Sequence, residues 1–321
     1  MTRAARIPPA ARAILNGDRR ALARVISQVE NQDPAVAEVS RALYPHTGGK
    51  PIVGITGPLG VGKSSLINLL VGRLRELDRT VGVVAVDPSS PYTGGSVLGD
   101  RIRFARQADD AGVFFRSMAS RGEAGGVAAA TREAARLMDA AGFDVVVVET
   151  VGSGQVDVAI RDIATTSVVV LVPHLGDEVQ TLKAGLFEIA DVFCVNKADL
   201  PGADLARKDL SELVGLGAAR SGWAPEVVAT STTQPAGVDQ LWTAVEAHEH
   251  FLDSSGQRAV EERRRLSAEI VHLVRDRVGR ELTRRLDRDP ELRQLLDRVV
   301  DRKIDPRSAA ERLERGRTRP H

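Results

Sequence analysis

The sequence predicts an α/β fold, with a mainly parallel sheet flanked by helices, from two patterns that agree. Short apolar runs of strand type alternate with stretches whose apolar residues have helical spacing. Strands that alternate with helices favour a parallel sheet, because each crossover connection places a helix on a face of the sheet. The strand-like runs occupy residues 51–56, 81–86, 113–115, 144–149, 167–172, 191–195 and 226–229.

Helical segments precede and follow the region that contains these runs. Residues 1–46 form a predicted N-terminal helical extension, in which Asp18 can cap a helix with one apolar stripe. Residues 47–254 hold all of the strand-like runs. Residues 255–321 form a predicted C-terminal helical arm, and an apolar stripe follows its residues 258–288. This stripe can dock on its own domain or form a helical dimer contact, and the pattern alone favours neither.

The composition excludes several classes of protein. At 321 residues, with 43% hydrophobic residues, the chain can bury a sizeable core. Because 44 Lys and Arg balance 43 Asp and Glu, the chain has no general attraction to nucleic acid or to a membrane surface, and we expect neither as a partner. The single cysteine, Cys194, lies in an apolar run where a buried thiol is expected. Without a secretory signal or a stretch of membrane-spanning length, we expect a cytoplasmic protein.

Residues 57–64 read GPLGVGKS, a complete G-x-x-x-x-G-K-S phosphate-binding loop between the first strand-like run and a helix. Glycines let the backbone turn tightly and aim N–H groups at phosphate oxygens, and the helix N-terminus adds partial positive charge. Lys63 would reach the β and γ phosphates, and the Ser64 hydroxyl would coordinate Mg²⁺. The motif predicts a P-loop NTPase domain at residues 47–254, with nucleotide contacts from Gly57, Pro58, Leu59, Gly60, Val61, Gly62, Lys63, Ser64 and Ser65.

A second motif indicates which nucleotide is bound. Asn196, Lys197 and Asp199 form N-K-A-D directly after the run at 191–195, where open α/β sheets present side chains to ligands. The Asp199 carboxylate can accept hydrogen bonds from guanine N1–H and N2–H₂, whereas adenine offers no matching pair of donors. The sequence therefore predicts GTP and GDP as ligands, together with Mg²⁺.

A third motif follows the most apolar run of the chain. Glu149 ends this run and would hold Mg²⁺ through the water shell of the ion, while Gly152 would donate its N–H to the γ phosphate. The segment after Gly152 is therefore a predicted switch that responds to GTP or GDP. Many GTPases carry a glutamine directly after this glycine to orient the attacking water, but here Ser153 takes that place. We expect slow hydrolysis in the absence of a partner.

Longer segments of the chain resemble one family of GTPases. AVDPSSPYTGGSVLGDRIR at 85–103, ETVGSGQVD at 149–157 and GDEVQTLKAG at 176–185, together with N-K-A-D, resemble the methylmalonyl-CoA mutase-associated GTPases of the MeaB/ArgK type. The likeness covers nearly the whole chain. It implies a homodimeric G-protein chaperone that binds an adenosylcobalamin-dependent acyl-CoA mutase, gates loading of the mutase cofactor, and protects or reactivates the mutase.

The resemblance also assigns roles to individual residues. It implies that Asp87 and Asp100 lie near Mg²⁺ in the first switch and that residues 176–183 signal to the mutase. Ser231, Thr232 and Thr233 take the place of the family's Ser-Ala-Leu guanine loop, in which only the serine is retained. The expected catalytic residues are Lys63, Glu149 and Asp100, and the expected metal site consists of Ser64, Asp87, Asp100 and Glu149.

Departures from the family pattern bear on the identity of the partner. Ser153, Val156 and Asp157 differ from the usual residues of the second switch, and His174 and Leu175 differ from the small residues that usually precede GDE. We hypothesise a client other than methylmalonyl-CoA mutase, such as an isobutyryl-, hydroxyisobutyryl- or ethylmalonyl-CoA mutase. The alternatives are a P-loop kinase, a nucleotide-dependent dimeric scaffold, and a metal-insertion GTPase, although the dispersed histidines disfavour the last of these.

Overall fold

Seven parallel strands form one sheet in the part of the chain that the computed structural model describes, residues 7–87, 109–119, 129–150, 158–173, 188–216 and 222–317. The order across the sheet is β3-β2-β4-β1-β5-β6-β7. A strand is present at each predicted run, which confirms the α/β fold with a parallel sheet. The strands span Ile52–Thr56 (β1), Val81–Asp87 (β2), Val113–Ala119 (β3), Val145–Glu149 (β4), Thr166–Leu171 (β5), Val192–Val195 (β6) and Glu226–Ala229 (β7).

Helices occupy connections between the strands and both ends of the described chain. The chain divides into two compact units, Met1–Arg263, which holds the sheet, and Arg264–His321. Short 3₁₀ helices lie at Tyr44–His46 and Val158–Asp162. The α-helices span Pro9–Leu15 (α1), Arg19–Glu30 (α2), Val36–Leu43 (α3), Lys63–Glu76 (α4), Ala129–Ala140 (α5), Ala203–Leu216 (α6), Val238–Ser254 (α7), Gln257–Arg288 (α8), Pro290–Val300 (α9) and Pro306–Arg317 (α10).

Apolar side chains build a core on each face of the sheet. On one face, Val148 and Phe193 belong to the buried cluster that also contains Leu22 of α2. On the other face, Val53 clusters with Leu66 of α4, and α7 contributes residues to the same core. The central strands are therefore apolar on both faces, as expected for parallel strands enclosed by helices.

The N-terminal extension is fixed at the start of α2. As the sequence predicts, Asp18 caps this helix, and its carboxylate accepts hydrogen bonds from the N–H groups of Arg20 at 2.8 Å and Ala21 at 3.0 Å. The next residue, Arg19, donates to the carbonyl oxygen of Val113 at 2.6 Å. The extension is thereby tied to the beginning of β3, a strand at the edge of the sheet.

The strand order brings together the three motifs found in the sequence. β1 lies between β4 and β5, and the register places Ile55 beside Glu149. β6 follows β5, with Leu171 beside Val195. Because all of these strands are parallel, the loops that follow β1, β4 and β6 leave the sheet at the same edge. The phosphate loop, Glu149 and the loop that begins at Asn196 meet there.

The second unit, Arg264–His321, is helical where the structure describes it. Asp289 caps α9, since its carboxylate accepts a hydrogen bond from the N–H of Glu291 at 3.0 Å. Ile270, Leu273 and Val274 of α8 are 62%, 51% and 56% exposed. Among the described helices of the chain, including the 32-residue α8, none combines the length and apolar character that crossing a bilayer requires.

A polar cluster joins α7 to the amino ends of β5 and β6, at the edge of the sheet opposite the three motifs. His248 lies 2.8 Å from Thr166 through Nδ1 and 3.5 Å from Asp191 through Nε2. The Thr166 hydroxyl donates to Glu249 at 2.6 Å, so it must accept the hydrogen of His248 Nδ1. Although 29% of the Asp191 side chain is exposed, desolvation raises the pKa of Asp191 to about 7.

We expect Asp191 to make the stability of the fold depend on pH. Its pKa of about 7 in the folded protein lies above the ordinary value of 3.8, so the folded state holds the proton more tightly than the unfolded chain does. The stabilisation from this group is complete below about pH 4 and is lost as the pH rises towards about 7. Urea unfolding between about pH 4 and about pH 7 would measure this loss of unfolding free energy, which should be absent in Asp191→Asn.

An exposed carboxylate provides the control. Asp204 lies on the surface of α6, and Asp204→Asn should keep the pH dependence of the wild-type chain. If wild type and Asp191→Asn lose the same free energy of unfolding between about pH 4 and about pH 7, Asp191 does not hold the proton.

Candidate functional site

The phosphate loop, residues 57–64, joins β1 to α4 through positions that require glycine. The φ angles are 147° at Gly57 and 91° at Gly62, in the region that side chains disfavour. A Cβ atom at Gly57 would lie 2.2 Å from the carbonyl oxygen of Val170, and one at Gly62 would lie 2.6 Å from the Asn196 amide. The loop therefore packs against β5 and against the residue that follows β6, which leaves no space for a side chain at Gly57 or Gly62.

Lys63 is the first residue of α4, and its side chain turns back over the loop. Its Nζ donates to the carbonyl oxygens of Gly57 at 2.8 Å and Pro58 at 3.1 Å, and the residue is only 6% exposed. Val61 is buried and anchors the loop in the core, whereas Leu59 is 81% exposed. The ammonium group thus lies over the turn that begins the helix, where N–H groups and the helix dipole favour an anion.

Ser64 and Glu149 form an oxygen pair beside this loop. The Ser64 hydroxyl donates to Glu149 Oε1 at 2.6 Å, and Glu149 is buried at the end of β4. Just beyond this pair, the hydroxyl groups of Thr150 and Thr56 are hydrogen-bonded at 2.9 Å. Hydroxyl and carboxylate oxygens are the ligands that Mg²⁺ prefers, so the pair fits the predicted metal site.

For the other residues of the predicted metal and γ-phosphate site, the structure describes no side chains. Asp87 ends β2, two residues beyond the Ala85 that pairs with Glu149, and only its backbone is described. Asp100 and Gly152 lie outside the described residues, as do residues 176–183. Their assigned roles stay predictions.

Two residues of the N-K-A-D motif form hydrogen bonds with the phosphate loop. Asn196 is completely buried, and its Nδ2 donates to the carbonyl oxygen of Val61 at 2.8 Å. Lys197 has a φ angle of 58°, and its Nζ donates to the carbonyl oxygen of Gly60 at 2.9 Å. The base-recognition motif and the phosphate loop are therefore in direct contact.

Asp199 is the exposed member of the motif. Its Oδ1 accepts a hydrogen bond from the Ser231 hydroxyl at 2.5 Å, and the hydroxyl groups of Ser231 and Thr233 hold the pKa of Asp199 below its usual range. Ser231, Thr232 and Thr233 lie in the loop after β7, and their assignment to a guanine loop stays a prediction. The carboxylate is therefore kept ionised and accessible, which suits it to accept hydrogen bonds from a purine.

One residue of the site, Thr230, belongs to none of the predicted motifs. Its hydroxyl donates to Asn196 Oδ1 at 3.1 Å and lies 3.1 Å from Cys194 Sγ, and its carbonyl oxygen accepts the N–H of Ala198 at 2.9 Å. Thr230 thus orients the amide that contacts the phosphate loop. In the sequence, only its position directly before Ser231 points to Thr230. That position becomes informative once the strand order shows that β7 lies beside β6, so that Thr230 and Asn196 are neighbours.

The sequence and the fold are similar to those of known proteins. Residues 22–287 match the model of the family described as methylmalonyl Co-A mutase-associated GTPase MeaB. A putative GTPase of Pyrococcus abyssi is 47% identical over 300 residues, which cover 92% of each protein. GTPase ArgK of Escherichia coli K12 is 33% identical over 311 residues, which cover 94% of each. A crystal structure of a LAO/AO transport system kinase has a TM-score of 0.70 at 25% identity, with 99% of this chain and 100% of that one covered.

Proposed function

The chain belongs to the family of methylmalonyl-CoA mutase-associated GTPases, and we propose that it is the G-protein chaperone of an adenosylcobalamin-dependent acyl-CoA mutase. In this role it gates loading of the mutase cofactor and protects or reactivates the mutase. The GTPase activity and the P-loop fold are those of the family. The description of the family supports the mutase as the class of partner.

The contact between the two nucleotide loops carries the proposal. Asn196 and Lys197 each donate to a carbonyl oxygen of the phosphate loop, so the guanine end and the phosphate end of the site form one unit. We expect a difference between GTP and GDP to act on the predicted switches. The Ser64–Glu149 pair supports such a route, because Glu149 lies shortly before Gly152, after which the predicted second switch begins.

The 3₁₀ helix Val158–Asp162, which comes after that switch in sequence, is packed closely on β1. A Cβ atom at Gly54 of β1 would lie 2.4 Å from the Ile160 side chain and 2.8 Å from Ala164. The far end of the predicted switch is therefore fixed to the same strand that leads into the phosphate loop. This arrangement suits a segment that reports the state of the nucleotide between two fixed ends.

Ser64 and Glu149 would hold Mg²⁺ together with phosphate oxygens, and Asp87 and Asp100 would complete its surroundings. When bound, Mg²⁺ would neutralise charge on the phosphate oxygens. Lys63 would bind the β and γ phosphates, and the N–H groups of the loop would orient the γ phosphate for attack by water. Because Ser153, and not a glutamine, directly follows Gly152, no glutamine at that position orients the water, and hydrolysis would be slow until the mutase binds.

The proposed assembly is a cytoplasmic homodimer formed by the C-terminal arm, residues 255–321. Exposure of Ile270, Leu273 and Val274 on α8 supports it, because large apolar side chains three and four residues after the first share one face of a helix.

A kinase is the second candidate, because the solved structure with a TM-score of 0.70 is a LAO/AO transport system kinase. The two functions differ in the acceptor of the γ phosphate, which is water for a GTPase and a substrate group for a kinase. The N-K-A-D motif together with the predicted nucleotide-dependent switches favours water as the acceptor, and therefore the GTPase.

Phosphate release tests the proposal. We expect slow release from GTP, no release from ATP, and faster release from GTP when the purified client mutase is added. The panel should contain methylmalonyl-, isobutyryl-, hydroxyisobutyryl- and ethylmalonyl-CoA mutases, and light scattering of each mixture would give the mass of the assembly. Acceleration by methylmalonyl-CoA mutase alone would reject the hypothesis of a different client.

Three outcomes would contradict the proposed function. Equal phosphate release from ATP and GTP would show that the site does not select guanine over adenine. Transfer of the γ phosphate to a small-molecule acceptor would identify a kinase. Release that no mutase accelerates would leave a GTPase without the proposed chaperone role.

A further inference from the structure

The loop after β7 is closed on itself. The N–H of Ser231 donates to the carbonyl oxygen of Ala236 at 3.1 Å, and the N–H of Ala236 donates to the carbonyl oxygen of Ser231 at 3.2 Å. Gly237 follows with a φ angle of 78°, and a Cβ atom there would lie 1.9 Å from the carbonyl oxygen of Ala229. Residues 231–236 are therefore held as a loop of defined shape beside the N-K-A-D segment.

Two hydroxyl groups of this loop lie at the Asp199 carboxylate. Ser231 Oγ donates to Asp199 at 2.5 Å and accepts the N–H of Gln234 at 3.1 Å. Thr233 Oγ1 lies 3.2 Å from Ser231 Oγ. Since the one hydroxyl hydrogen of Ser231 is used on Asp199, Thr233 must be the donor in this contact. Thr233 therefore supports, through Ser231, the hydrogen bond that Asp199 accepts, and the two hydroxyl groups together lower the pKa of Asp199.

We propose that Thr233, acting through Ser231, is a positioning residue that holds the Asp199 carboxylate for the Watson–Crick edge of guanine. The inference rests on the guanine site of the proposed function. Asp199 is exposed, so its carboxylate would rotate freely and pair with water unless neighbouring groups held it. By donating to Ser231, the Thr233 hydroxyl orients the Ser231 hydroxyl towards Asp199, which fixes one rotamer of the carboxylate before the base arrives. A bound base would shield these hydrogen bonds from water.

Nucleotide affinity of the full-length chain tests the proposal, with fluorescent analogues of GDP and ADP as probes. Thr233→Val keeps the shape of the side chain but removes its hydroxyl. It should weaken binding of the GDP analogue about 3- to 10-fold and leave binding of the ADP analogue unchanged, because adenine lacks the donor pair. Thr233→Ser should restore the GDP affinity. Thr243→Val, at an exposed threonine of α7, should match the wild type.

The pH profile separates positioning of Asp199 from general damage to the loop. Without the Thr233 hydroxyl, the pKa of Asp199 should rise towards its usual value, so Asp199 takes up a proton at a higher pH. The loss of GDP binding on acidification should therefore begin at a higher pH in Thr233→Val than in the wild type.

Several results would overturn the inference. Equal GDP affinity and equal acid profiles in Thr233→Val and wild type would do so while leaving the guanine site intact. Equal weakening of the GDP and ADP analogues would show damage to the loop instead of lost selectivity. A wild-type chain that binds the GDP analogue no more tightly than the ADP analogue would overturn the proposed guanine site and this inference with it.

Discussion

Lys63→Ala is expected to weaken binding of GTP by at least about 100-fold, because charge-assisted hydrogen bonds to two phosphates are lost. Binding of GDP should weaken less, since GDP lacks the γ phosphate. The ammonium group of Lys63 lies over the phosphate loop, where it donates to the carbonyl oxygens of Gly57 and Pro58. Titration calorimetry with each nucleotide and Mg²⁺ would measure both losses.

A surface lysine provides the matched control for this variant. Lys208 on α6 has a side chain that is 72% exposed, and Lys208→Ala should bind GTP as the wild type does. Circular dichroism of both variants would show that the fold is retained. Unchanged affinity for GTP in Lys63→Ala would contradict the assignment of residues 57–64 as the phosphate site.

Asp199→Asn is expected to reverse the selectivity for guanine. The amide would place a donor against the N2–H₂ donor of guanine, so GTP binding should weaken about 100-fold, the cost of leaving polar groups unpaired at a recognised edge. Xanthine presents a carbonyl oxygen at this position and accepts from an amide, so the variant should gain affinity for XTP. Competition of GTP, XTP and ATP against a fluorescent nucleotide would measure the exchange.

The gain of XTP binding distinguishes altered recognition from a damaged site. Ser231 can still donate to the remaining oxygen of residue 199, so the loop after β7 should keep its shape. A variant that retains full preference for GTP, or one that loses GTP without gaining XTP, would count against recognition of guanine by Asp199.

Much of the fold follows from local patterns in the sequence. The strand-like runs correspond to the seven described strands, because apolar β-branched residues fit a sheet that is buried on both faces. β3 is longer than predicted, since it continues from the predicted Val113–Phe115 run through Arg116 and Ser117 to Ala119. β3 pairs with β2 along its whole length, and this pairing keeps the polar residues in the strand although they lack the apolar character of the predicted run. The Arg116 side chain is paired with Glu30 and Ser27 of α2.

The candidate site shows the limit of sequence reasoning more clearly. The phosphate loop and the N-K-A-D motif are visible because each is a contiguous sequence with its own chemistry. The contacts of Asn196 with Val61 and of Thr230 with Asn196 cross strands that are far apart in the chain. Such contacts depend on the order of the strands, which local periodicity does not encode.

The hydrogen bonds from Asn196 and Lys197 to the phosphate loop have a consequence for the lifetime of the complex. In the proposed function, the phosphate loop and the N-K-A-D segment bind opposite ends of the nucleotide, and these hydrogen bonds at Val61 and Gly60 connect the two segments. Release of the base would then disturb the phosphate contacts, and release of the phosphates would disturb the base contacts. We therefore expect a partner that speeds nucleotide exchange to act on the contact between the two segments.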